Sequence, residues 1–146
     1  AITLTDEGST HQMYADKEKV FDALASHSDV VSEIPEAAVV LAGNDNTAVQ
    51  AMAFEYNGTF FWGTQYHPDY TLYEVSRLMR ARKETLVAEG LFENAEEFER
   101  CMKLQETLGK DAERTDSRQQ LEIGEDILCD KTRTVEFSNW LNKVCT

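Results

Sequence analysis

His67 and Asp69 stand two residues apart across a proline, in the run Trp62-Gly63-Thr64-Gln65-Tyr66-His67-Pro68-Asp69. Imidazole titrates near neutral pH, and a nearby carboxylate can orient it and stabilise its cation, so the pair could supply the base and acid of acyl transfer. Such chemistry also needs a nucleophile. Cys101, Cys129 and Cys145 all follow the pair, and none has the flanking glycines of a strained nucleophile elbow. Each reads as an ordinary thiol. On spacing alone the His-x-Asp pair also fits a structural histidine at a strand end, and both readings stand.

The elements that would position the pair change character near residue 70. The front of the chain reads as strands: Ile2 to Thr5, Val20 to Ala25, and the apolar run Ala37 to Ala42, which suits a strand covered on both faces. Thr47 to Tyr56 and Thr59 to Tyr66 are joined by Asn57-Gly58, a dipeptide that readily takes the positive φ angles of a type I′ turn. A β-hairpin is expected there, its aromatic residues Phe54, Tyr56, Phe60, Phe61 and Trp62 packing across the strands. His67 and Asp69 then fall where the second strand gives way to a helix. In α/β folds that edge gathers ligands and catalytic groups.

From Thr71 the period becomes helical. Thr71 and Glu74 form a candidate capping box, Leu72, Val75, Leu78 and Met79 share a face, and Gly90 marks the end. A second helix is expected from Asn94 to Gly109, then a polar connector from Lys110 to about Gln119. The last helix, from about Lys131, places Phe137, Trp140, Leu141 and Val144 on one stripe, the spacing of a core-facing surface. The Arg77-Arg80-Arg82-Lys83 cluster reads as a solvated helix face, and His11 as a solvated loop residue.

The string Gly63-Thr64-Gln65-Tyr66-His67-Pro68-Asp69 resembles the G-x-Q-[FY]-H-P-E signature of class I (triad) glutamine amidotransferases, with Asp69 where the family usually has Glu. Phe21 to Val31, Ile34 to Ala42 and Val49-Gln50-Ala51 are similar to the "SH-x-D-x-V, LP-x-GA-x-VLA, VQA" progression of that family, closest to its stand-alone, GMP-synthase-like members. Ile2 to Thr5 with Gly8 and His11 extends the likeness to the start, so it covers residues 1 to about 90.

The resemblance implies an α/β fold: the C-terminal part of a flavodoxin-like amidotransferase domain, with residues 1–90 as its C-terminal half and 91–146 as a helical extension packed on it. It implies hydrolysis of glutamine to glutamate and ammonia through a cysteinyl thioester, with His67 as base and Asp69 as its orienting acid. Ser26 and His27 match a stretch near the family's glutamine site, and a role in that pocket stands beside a purely structural one. No cofactor is implied, and a synthase partner or fused domain is one destination for the ammonia. The family's nucleophile precedes its histidine by more than the 66 residues available here, so the chain is expected to be an inactive remainder of a longer enzyme that exposes apolar faces and tends to self-associate. A non-catalytic amidotransferase-like binding module and a hydrolase of γ-glutamyl peptides are the alternatives.

Composition narrows the rest. The 146 residues carry a formal net charge of −13, and residues 1–70 hold 11 acidic against 2 basic side chains. Phosphate-backbone binding needs clustered Lys and Arg, which argues against nucleic acid as a partner. Three cysteines without CxxC or Cys/His spacing argue against a disulfide framework and a zinc site. Neither a bilayer-length apolar run nor a secretory leader is legible, so a cytoplasmic setting is expected.

Overall fold

A computed structural model describes residues 1–145 and divides them into two compact units, Ala1–Asp69 with the segment from Cys129 onward, and Tyr70–Leu128. The first unit has a five-stranded antiparallel sheet of order β2-β1-β3-β4-β5, built from β1 (Ile2–Leu4), β2 (Val20–Phe21), β3 (Val39–Gly43), β4 (Ala51–Tyr56) and β5 (Thr59–Thr64). The expected mixed α/β character stands.

The hairpin forms as anticipated. Asn57 and Gly58 adopt φ of 50° and 75°, and β4 and β5 pair in unbroken register from Tyr56–Thr59 to Ala51–Thr64. Phe54 stacks on its cross-strand partner Phe61 with centroids 4.9 Å apart. Other expected strands are shorter. Val20 to Ala25 yields only β2 plus an isolated bridge between Ala25 and Tyr66. β4 starts at Ala51, not Thr47, because Thr47 is held in a turn by Asn44, whose N donates to the Thr47 carbonyl and whose side chain accepts from Thr47 N at 2.8 Å. The apolar run at 37–42 is covered only toward its end, with Leu41 and Ala42 fully buried and Val39 exposed.

The buried core gathers Ile2, Leu4, Phe21 and Leu41 from the strands with Met13, Tyr14 and Tyr66. The short helix α1 (Asp6–Thr10) is capped by the Thr5 hydroxyl, which accepts from Gly8 N at 2.9 Å. Gly8 is required for close approach, since a β-carbon there would sit 1.9 Å from the Leu41 carbonyl oxygen. A 3₁₀ turn, Gln12–Tyr14, follows.

The second unit is helical. α2 (Leu72–Ala81) begins with the anticipated Thr71–Glu74 capping box, but Arg82 leaves helical geometry at φ −111° and ψ 14° and separates it from α3 (Lys83–Ala88). The apolar spacing carries no signal of that break. α4 (Ala95–Lys110) is capped by Asn94, whose side chain accepts from Glu96 N and Glu97 N. Two members of the basic cluster are paired rather than simply solvated: Arg80 bridges Glu99 and Glu106, and Lys83 joins Glu99. The expected connector holds α5 (Thr115–Leu121), with Ser117 buried, and α6 (Glu125–Leu128) closes the unit.

In the first unit, α7 (Asp130–Arg133) and α8 (Val135–Val144) end the described chain. The apolar stripe of α8 does not face the core. Phe137, Trp140, Leu141 and Val144 are exposed, while Glu136, Asn139 and Lys143 on the adjacent face make the inward contacts. Those contacts explain the rotation of the helix away from the expected face: Asn139 donates to the carbonyls of Met13 and Ala15, and Glu136 meets a buried lysine. Among the described residues, no helix is long and apolar enough to cross a membrane.

Candidate active site

β5 ends at Thr64, and the next three residues are held by backbone bonds that the strand pattern alone does not reveal. Gln65 N donates to Gln50 O, Tyr66 bridges Ala25, and His67 N donates to Leu24 O at 2.7 Å. The turn is held from its other side as well. Arg133, itself buried, donates from Nε to the Pro68 carbonyl at 3.3 Å while its guanidinium pairs with Asp130.

This framing brings His67 and Asp69 together, with Nδ1 3.3 Å from Oδ1. A carboxylate accepts only, so with neutral imidazole the contact requires the proton on Nδ1. That leaves Nε2, on the opposite edge of the ring, as the basic nitrogen, the arrangement a general base needs. The His67 side chain is one-third exposed and that of Asp69 two-thirds.

The residue before the histidine, Tyr66, belongs to a polar network in the core. The Tyr66 hydroxyl donates to Glu136 Oε1 at 2.6 Å and lies 2.8 Å from the Tyr14 hydroxyl. Lys17 Nζ lies 3.2 Å from Glu136 Oε1, donates to the Thr132 carbonyl at 2.8 Å, and stands 4.5 Å from the centre of the Phe21 ring. Burial, followed by the neighbouring tyrosine and carboxylate, drives the Tyr66 phenol far above its ordinary range; burial leads the rise at Tyr14 too. Both phenols therefore stay protonated as donors. Lys17, Glu136, Arg133 and Tyr14 were not legible as site-supporting residues, because each reaches its partner across a long stretch of sequence. The one available signal was the i, i+3, i+7 spacing of Glu136, Asn139 and Lys143 on the face beside the apolar stripe of α8.

Ser26 and His27 follow immediately after the Ala25–Tyr66 bridge, which sets their segment alongside the His67 turn. His27 Nδ1 lies 2.9 Å from the Asp29 carbonyl. His11 departs from the solvated role expected of it. Its Nδ1 accepts from Met13 N, its ring packs edge-on against Trp62 at 5.1 Å, and partial burial, with Lys143 adding to it, lowers its pKa. An open cavity of about 270 Å³ adjoins the turn, lined by Met13, Trp62, Thr64, Pro68, Glu136, Phe137 and Trp140.

The three cysteines lie within α4 (Cys101), at the start of α7 (Cys129) and after α8 (Cys145). None occupies a strand-to-helix turn, the strained geometry that exposes a nucleophile in α/β hydrolytic folds. Burial also raises the Cys101 pKa, which opposes thiolate formation. Among the described residues, no group of three or more His, Cys, Asp or Glu side chains is placed to hold a metal ion.

Comparison with known proteins locates the same region. The family model described as "Glutamine amidotransferase class-I" matches residues 2–83, which include the hairpin and the His67–Asp69 turn. The chain is 30% identical over 141 residues to a gamma-glutamyl-L-1-hydroxyisopropylamide hydrolase of Pseudomonas sp., covering 97% of this chain and 48% of the relative. It is 35% identical over 65 residues to the glutamine-hydrolysing GMP synthase of Azoarcus sp. (strain BH72), covering 44% of this chain and 12% of that one. The chain thus spans about half the length of the hydrolase and a smaller part of the synthase. No solved structure matches the chain.

Proposed function

Since the chain belongs to the class I glutamine amidotransferase family, we propose that His67 and Asp69 are the base and orienting acid of a cysteine-dependent triad that cleaves the side-chain amide of glutamine. The observation that carries this reading is the 3.3 Å contact from His67 Nδ1 to Asp69 Oδ1 at the end of β5. The cysteine comes from outside these 146 residues, because the three present lie on or beside helices and not in an elbow.

In this mechanism His67 Nε2 takes the thiol proton, and the thiolate attacks the amide carbon. The proton then passes to the departing ammonia as the C–N bond breaks and a glutamyl thioester remains. His67 next removes a proton from water, which attacks the thioester and releases glutamate with return of the proton to sulfur. Asp69 accepts a hydrogen bond from Nδ1–H throughout and stabilises the imidazolium. Ser26 and His27 border the glutamine pocket, and a synthase domain or partner receives the ammonia.

A second reading keeps the triad and changes the leaving group, with a γ-glutamyl amide of a small amine replacing glutamine. It is favoured by the likeness to the γ-glutamyl amide hydrolase, which runs through 97% of the chain and so includes the helices after residue 90. On either reading residues 91–146 are a helical extension of the amidotransferase part, and the isolated chain is inactive.

The test is to supply the nucleophile-bearing half in one polypeptide with this chain and to measure release of ammonia from glutamine and of amine from γ-glutamyl isopropylamide. Preference for glutamine supports the first reading, and preference for the alkylamide supports the second. Turnover of neither, with a correctly folded assembly, would leave the chain as a binding module.

A further inference from the structure

The ion pair of Lys17 and Glu136 sits in the core, with side chains only 3% and 2% exposed. Exchanging such a pair for apolar groups of similar size is often neutral or stabilising, so stability alone gives weak reason for it. Its other partner is more informative. Glu136 Oε1 also accepts the Tyr66 hydroxyl at 2.6 Å, and Tyr66 immediately precedes His67.

A phenylalanine at 66 would bury a ring of the same shape against Phe21, whose centroid lies 5.6 Å away. What the hydroxyl adds is direction. It ties the far end of the ring to Glu136, which Lys17 holds in turn, and to Tyr14. At the near end, the backbone of Tyr66 and His67 pairs with Ala25 and Leu24. The segment that presents the imidazole is therefore fixed at both ends of the tyrosine.

We propose that Glu136 and Lys17 are positioning residues which, by anchoring the Tyr66 hydroxyl, hold His67 in register with Asp69 and so set which ring nitrogen carries its proton. The helix α8 thereby supports the histidine from a distance of 69 residues along the sequence. This inference rests on His67 being the base of the proposed function.

The test is nitrogen-15 NMR of the histidine rings in the 146-residue polypeptide, at a pH where the imidazoles are neutral. In the unmodified protein His67 is expected mainly as the Nδ1–H form. Tyr66→Phe, and separately the paired change Lys17→Met with Glu136→Leu, are expected to lower the Nδ1–H to Nε2–H ratio of His67 by about fivefold, the scale of one lost hydrogen bond. Glu136→Gln keeps an acceptor for Tyr66 and should retain more of the unmodified ratio than the paired change. His11, whose Nδ1 accepts from Met13 N, should keep its Nε2–H form in all of them and reports that the fold persists.

An unchanged His67 ratio in Tyr66→Phe and in the paired variant overturns the proposal, and so does a loss of thermal stability with the ring spectrum intact. The measurement involves no turnover. Failure of the assembled enzyme to hydrolyse an amide would therefore count against the proposed function while leaving this result to stand or fall separately.

Discussion

Asp69 Oδ1 lies 3.3 Å from His67 Nδ1 across a proline, so a carboxylate one methylene shorter than glutamate reaches the ring when the turn itself is pulled into place. The pull is visible in two bonds, from His67 N to Leu24 O and from Arg133 to Pro68 O. A triad needs its acid at the imidazole more than it needs a particular acid.

Asp69→Asn should lower amide hydrolysis by the assembled enzyme by about 10²–10⁴-fold, because an amide at this position neither fixes the Nδ1–H form nor stabilises the cation. The effect should fall on kcat more than on KM. Steady-state kinetics with glutamine and with a γ-glutamyl alkylamide checks this.

Removing one partner of the buried ion pair should be far costlier than removing both. Glu136→Leu alone leaves Lys17 charged in the core and is expected to destabilise the first unit by about 3–5 kcal/mol. Combined with Lys17→Met, most of that loss should return, since two apolar chains can fill the space. Urea denaturation of the single and double variants gives the comparison.

Thiol labelling should sort the cysteines by environment. Cys145 is exposed, whereas Cys101 is half-buried, with burial raising its pKa and Gln105 Nε2 3.6 Å from the sulfur. Iodoacetamide at pH 8 should modify Cys145 first and Cys101 at least about tenfold more slowly, as thiolate fraction and access both dictate. Mass-mapped time courses read the order.

The helical unit should loosen in acid. Side-chain bonds from Lys83 and Arg80 lower the pKa of Glu99, and Arg80 lowers that of Glu106. A carboxyl whose folded pKa is depressed contributes stability above its unfolded value, about 4.3 for glutamate, and loses it as pH falls through the folded value. Protection of α2 and α4 amides should therefore fall as pH drops below about 4.3, and Arg80→Ala should flatten that dependence. Because both carboxylates are solvated, added salt should shrink the effect. Hydrogen exchange at several pH values measures it.

What could be read from the sequence was mostly local. Asn57-Gly58 specifies its turn through two positive φ angles, Thr71 and Glu74 cap a helix within one turn, and Asn94 does the same for α4. The His67–Asp69 pair was legible because both partners lie within three residues. The supports around it were not. Leu24, Lys17 and Arg133 come from distant segments, and no periodicity announces their pairing. The α8 stripe shows the limit most plainly: hydrophobic spacing places Phe137 and Trp140 inside, but the buried partners of Glu136 and Asn139 rotate the neighbouring face inward instead. A rule that sends charge outward fails where a buried lysine meets the charge.

The most direct measurement of the central claim is amide hydrolysis by this chain joined to a nucleophile-bearing amidotransferase half, compared with the same polypeptide carrying His67→Ala. The expected result is turnover that falls by at least about 10³-fold in the variant, with the isolated 146-residue chain releasing no ammonia or amine. Equal turnover with and without His67, or sustained His67-dependent release by the isolated chain, would contradict it.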